Sequence, residues 1–144
     1  MPDRFCALVP GEVAWDNCQC GQFAQTIESV FGSNSFPTPA TDTRQTPCGP
    51  NLTVVVVRAS LVRCVHGVSD DGRPPSCAAL LADALTLEDD RWAVRRGVAC
   101  HLADLRAAYT VVDFALDAST TLGPSGGCAG SELTYRFALG ALCC

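Results

Sequence analysis

The feature that most constrains this chain is the run from Leu52 to Val65, which holds Val54-Val55-Val56-Val57 at its centre. β-Branched side chains crowd a helix and fit a pleated strand. Successive strand residues point to opposite faces, so four valines in a row need apolar cover on both sides. The run therefore predicts a long strand in the middle of a sheet. Arg58, Ser60 and Arg63 bring polar character to its second half.

The other elements are read around this strand. Residues 109–118 and 133–139 alternate with period two, which marks half-buried antiparallel strands. In the second, Leu133, Tyr135, Phe137 and Leu139 share one face, and Thr134, Arg136 and Ala138 share the other. Phe23, Ile27, Val30 and Phe31 follow the i, i+4, i+7, i+8 spacing of an amphipathic helix over residues 22–31, with Gly32 placed to cap it. Ser76 is an N-cap for a further helical segment with Leu80, Leu81, Ala84 and Leu85 as its stripe. A second stretch carries Trp92, Val98, Ala99, Leu102 and Leu105. Thr86 followed by Asp89 resembles a restart, which predicts two helices or one kinked helix.

Residues 33–51 contain Pro37, Pro39, Pro47 and Pro50 and read as a long loop. Residues 121–130 read as a long glycine-rich hairpin loop. The expected architecture is a single α+β domain over residues 1–144. It has a small, mainly antiparallel sheet with helices on one face, and an extended N-terminal arm over residues 1–12.

Charge narrows the function classes. The formal net charge is −5, which argues against a surface that grips nucleic-acid phosphates. All basic residues are arginine, and Ile27 is the single isoleucine, as expected of a GC-rich coding genome. No stretch reaches the ~20 apolar residues of a membrane helix. The first ten residues do not read as a secretory signal, so folding in a cytosol is expected.

Ten cysteines sit poorly with that expectation, because stable disulfides are uncommon in a cytosol. Cys18, Cys20, Cys48, Cys64, Cys100 and Cys128 are the candidate disulfide-forming or structural thiols. Three states stay open: disulfides, reduced thiols, and a zinc site. The nearest pair, Cys18-x-Cys20, is a poor match to the usual C-x₂-C zinc spacing, and neither a metal nor another cofactor is expected. Cys143 and Cys144 could link subunits.

No enzyme motif emerges. The two histidines are His66, at a strand end, and His101, beside Cys100 in a helix. Adjacent helix positions point about 100° apart, so Cys100 and His101 do not face each other as nucleophile and base. Cys100 is expected as a core thiol. Asp70-Asp71 and Asp89-Asp90 are carboxylate pairs suited to a turn and to a helix start.

Two motifs carry a resemblance. Trp15-Asp16-x-Cys18-x-Cys20-Gly21, together with Leu122-Gly123-Pro124-x-Gly126-Gly127-Cys128-x-Gly130, resembles small virion proteins of tailed bacteriophages that infect GC-rich hosts. The likeness spans residues 13–140. It implies a structural protein of the head–tail connector, similar to the tail terminators that form a hexameric ring on the tail tube. Its implied partners are further copies of itself, the tail-tube protein and neighbouring connector proteins. DNA would pass through the lumen without specific binding, and no membrane is implied. The implied location is the virion, assembled in the host cytoplasm. Another connector ring (an adaptor or stopper) is the closest alternative, and a small cysteine-based metal or redox module is a rival from a different class.

Overall fold

The structure is a computed structural model and describes residues 4–6, 8–9, 21–41, 49–69, 71–125 and 127–140. Its elements run β1 (Arg4–Cys6), β2 (Gln22–Ser33), β3 (Leu52–Cys64), α1 (Cys77–Ala107), β4 (Asp113–Ser125) and β5 (Cys128–Gly140). The five strands form one sheet in the order β1-β2-β3-β5-β4. β1 pairs parallel with β2, and every other pairing is antiparallel. The fold is α+β, as expected, with one helix on one face of a small sheet.

The valine run sits where its composition requires. β3 is paired on both edges, to β2 and to β5. Val54, Val56 and Val62 are buried on one face, and Val57, Ala59 and Leu61 on the other. The second set meets Phe23, Leu133, Tyr135 and Leu102 in the main core, with Val94, Val98 and Leu105 of α1 packed against it. Period-two alternation in residues 133–139 is also realised, since Leu133 and Tyr135 face the helix and Phe137 joins their margin.

Residues 22–31 are a strand rather than the expected helix. Ile27 pairs with Val57 and Ser29 with Val56, so Glu28 is an extra residue in β2. A bulge of this kind shifts the face of everything after it by one position. Phe23 and Ile27 lie on the helix side before the bulge, and Val30 rejoins that side after it, opposite Val55. The bulged strand thus reproduces the i, i+4, i+7 spacing of a helix. Gly32 caps no helix; a side chain there would run into the Pro50 ring.

α1 is a single helix of 31 residues, about 46 Å long at 1.5 Å per residue. Ser76 caps it as expected, its hydroxyl accepting from the Ala79 N–H at 3.2 Å. Thr86 does not restart it. The Thr86 hydroxyl donates to the Ala82 carbonyl at 2.9 Å, a bond made within a continuing helix. Asp89 and Asp90 consequently lie mid-helix rather than at a helix start.

The β4–β5 hairpin extends further than the sequence suggests. Pairing continues from Leu122↔Gly130 to Ser125↔Cys128, with register shifts at Leu116/Ser119 and Leu122/Ser125. Much of the expected loop is therefore ladder. Gly123 makes this feasible: its φ is +79°, and a side chain there would meet the Cys128 carbonyl oxygen at 2.6 Å.

Gly130 lies directly against β3, where an added Cβ would overlap the Leu61 carbonyl. Gly130→Ala should lower stability by at least about 3 kcal/mol, the upper range for overpacking. Leu102, the one buried residue of the helix, should lose about 2–4 kcal/mol as Leu102→Ala. Urea denaturation of both variants checks these values; a Gly130→Ala change near zero would mean that β3 and β5 are further apart there.

Candidate functional site

A cleft of about 870 Å³ opens between α1 and the sheet. Its cause is the placement of the helix, which packs mainly on β5, β4 and β3 and leaves the helix-side face of β2 largely uncovered. The helix residues facing the gap include Ala93 and Gly97, which are too small to fill it. Nothing lies within 4 Å of where a Gly97 side chain would begin. Beyond the cleft, the apolar side of β2 continues outward as Ile27, 46% exposed, and Val30, 58% exposed.

The lining is apolar along its length and polar at its edges. Phe23, Leu61, Val98 and Phe137 line the wall. The Tyr135 hydroxyl donates to Gln25 Oε1 at 3.3 Å. Burial pushes the Tyr135 phenol above its ordinary pKa, because the phenolate loses solvation. Arg63 projects from β3 to the Asp90 carboxylate of α1 in a two-pronged ion pair, with Nη2 donating to Oδ1 at 2.8 Å. That pair ties strand to helix across the cleft. His101 also lines it.

The opposite face of the sheet carries a carboxylate–arginine cluster. Arg58 lies between Glu28 of the β2 bulge and Glu132 of β5, and Ser60 donates to Glu132 at 3.3 Å. Arg136 pairs with Asp117 of β4. At the helix start, Asp83 accepts from the His66 backbone N–H at 2.8 Å and contacts its ring, which holds the Asp83 carboxyl below its ordinary pKa.

The outward side of α1 exposes three large apolar side chains, with Glu88 and Asp89 between the second and the third. Leu81, Leu85 and Trp92 recur at i, i+4 and i+11, on the side of the helix away from the sheet, and are 61%, 59% and 61% exposed. The expected stripe Leu80, Leu81, Ala84 and Leu85 is exposed throughout, and so is Trp92 of the second stretch, because Val94, Val98, Leu102 and Leu105 supply the sheet contact. Helical spacing alone does not separate two apolar stripes on one helix.

The candidate thiols divide. Cys18, Cys20 and Cys48 lie outside the described residues. Cys64 and Cys100 are free and exposed, as is Cys77, so Cys100 is not a core thiol. Cys128 is disulfide-bonded. Register places Cys64 directly opposite Cys128, a proximity that the sequence spacing does not disclose. Among the described residues no three His, Cys, Asp or Glu side chains converge to hold a metal ion. No helix among them is long and apolar enough to cross a membrane.

Chemically, the cleft can bury an apolar group, and the helix stripe can bury against a flat apolar surface. No family model, curated protein or solved structure matches this chain.

The raised Tyr135 pKa has a defined sign. The unfolded chain loses the phenolic proton first, so the stabilisation from burial is full below pH ~10 and disappears as pH rises through the folded value. In Tyr109→Phe, Tyr135 is the sole tyrosine, and phenolate absorbance should develop only above pH ~10. Phenolate appearing at or below that value in the folded protein would show Tyr135 to be solvated.

Proposed function

We propose that this chain is a structural, non-catalytic subunit of a homo-oligomeric ring at the head–tail interface of a tailed bacteriophage, most specifically the tail terminator that caps the tail tube. The observation that carries the assembly part is the exposed stripe Leu81–Leu85–Trp92 on the outer side of a helix whose inner side already packs on the sheet. Three large apolar side chains exposed within about three helical turns mark a surface suited to a protein partner.

A ring requires two different complementary patches on each copy, because its contacts are head-to-tail and close by rotation. The outer stripe of α1 is one such patch. The uncovered apolar side of β2, with Ile27 and Val30 beside the cleft, is a second at another place on the surface. The phage assignment rests on the resemblance of the two glycine- and cysteine-bearing motifs, of which Leu122–Gly130 forms the β4–β5 hairpin end. The net charge of −5 suits a lumen through which DNA slides without adhering. In this reading the partners are other copies, the tail-tube protein and adjoining connector proteins, and the working location is the virion. An adaptor or stopper ring would use the same two patches and differ in its partners.

Native mass spectrometry and negative-stain electron microscopy of concentrated protein should show a closed ring, expected as a hexamer. The variant Leu81→Glu, Leu85→Glu, Trp92→Glu should be monomeric with an unchanged circular dichroism spectrum. Each exposed change should alter monomer stability by no more than ~0.5 kcal/mol. A wild-type chain that stays monomeric both alone and with tail-tube protein would reject the ring.

A further inference from the structure

The sheet register brings a free thiol onto a disulfide. Cys64 closes β3 and Cys128 opens β5, and the two are direct cross-strand partners. The next pair along the ladder is Val65 and Gly127, and the Val65 N–H donates to the Gly127 carbonyl straight across at 2.9 Å. Antiparallel pairs alternate between hydrogen-bonded and non-hydrogen-bonded types. Val65/Gly127 is of the first type, so Cys64/Cys128 is of the second. In such pairs the Cα atoms are about 4.5 Å apart and the side chains lie closest. That separation is within the ~4.4–6.8 Å that a disulfide spans.

The two cysteines differ in state. Cys64 is a free, exposed thiol. Cys128 already forms a disulfide. Cys64, Cys77 and Cys100 are all free, so the other sulfur of that bond comes from none of these three.

We propose that Cys64 is a resolving thiol for Cys128, making the Cys128 disulfide an exchangeable cross-link. The Cys64 thiol gives its proton to solvent, and the thiolate attacks Cys128 Sγ. A Cys64–Cys128 bond forms as the bond between Cys128 and its first partner breaks. The first partner's sulfur leaves as a thiolate and takes a proton from water. One disulfide is consumed and one is formed, so the step needs no oxidant or reductant. Its consequence is mechanical: Cys128 exchanges its first cross-link for one that ties β3 and β5 covalently at their ends. Exposure at Cys64 gives the attacking sulfur access to solvent, and the paired strands hold the attacked sulfur beside it.

The test uses the full-length protein. It is equilibrated without reductant at about pH 8.5, near the ordinary thiol pKa. Samples are quenched in acid at intervals, alkylated with N-ethylmaleimide, and digested with trypsin and an Asp-specific protease so that Cys64 and Cys77 fall on different peptides. Non-reducing mass spectrometry should find Cys128 linked both to its first partner and to Cys64. The first partner should become alkylated in step with the loss of alkylation at Cys64, at a constant total of free thiols. The rate should not depend on protein concentration. Cys64→Ser should abolish the second linkage and keep the first, whereas Cys100→Ser should change neither.

Four results would overturn the proposal: Cys128 linked to its first partner alone throughout, Cys128 alkylated in unreduced protein, a rate that rises with protein concentration, or equal loss of the second linkage in Cys100→Ser.

Discussion

Pairing of β3 on both of its edges is the constraint on which the rest depends. A strand in that position has no backbone group left for solvent, and its side chains must be accommodated by whatever lies above and below. Valines meet this requirement along most of its length. The exceptions are its two arginines, which stand on opposite faces because their positions differ in parity. Arg58 is neutralised by carboxylates of the two neighbouring strands, Glu28 and Glu132. Arg63 is neutralised from the helix by Asp90. Arg58 thus links β3 to its neighbours within the sheet, and Arg63 links it to the helix. A half-buried arginine without such a carboxylate would oppose the burial that the valines favour.

The helix is the second layer, and it is incomplete by itself. It spans the sheet's length but covers mainly three of its strands, so the apolar side of β2 and the cleft stay open. Its own outer side exposes Leu81, Leu85 and Trp92. A single helix cannot cover both. An isolated 31-residue helix that packs through one buried leucine and a margin of half-buried residues gains little from its first half, around Leu80 and Leu81. Burial of that half by neighbouring copies would supply the missing packing. This is the physical content of reading the chain as a subunit.

Legibility in the sequence followed the length scale of each signal. The central strand was readable because four adjacent β-branched residues leave one option, and β5 because its alternation is unbroken. β2 was not readable: one extra residue at Glu28 changed a period of two into an apparent period of 3.6. The continuity of α1 was hidden because Thr86 can cap a helix or bond within one, and local sequence does not choose between them. The cleft was not legible at all. It is assembled from Phe23, Arg63, Asp90, His101 and Tyr135, which lie on four elements and meet only after the register is set. The candidate cysteines were visible as residues, but their proximity was not.

The glycine-rich hairpin end shows why register, rather than spacing, controls the cysteines. A run such as Gly123-Pro124-Ser125-Gly126-Gly127 reads as slack chain. In the structure Gly123 takes a positive φ beside the Cys128 carbonyl, and Gly127 takes a positive φ at the turn. These two conformations let the strands continue to Ser125↔Cys128. Had the hairpin opened at Leu122, as its composition suggests, Cys128 would have belonged to a loop with no fixed neighbour. Because the ladder closes instead, β5 begins at Cys128, and its pairing with β3 assigns Cys64 as the residue opposite. The glycines therefore act on the thiols at a distance: they permit the turn, the turn completes the ladder, and the ladder decides which sulfurs can meet.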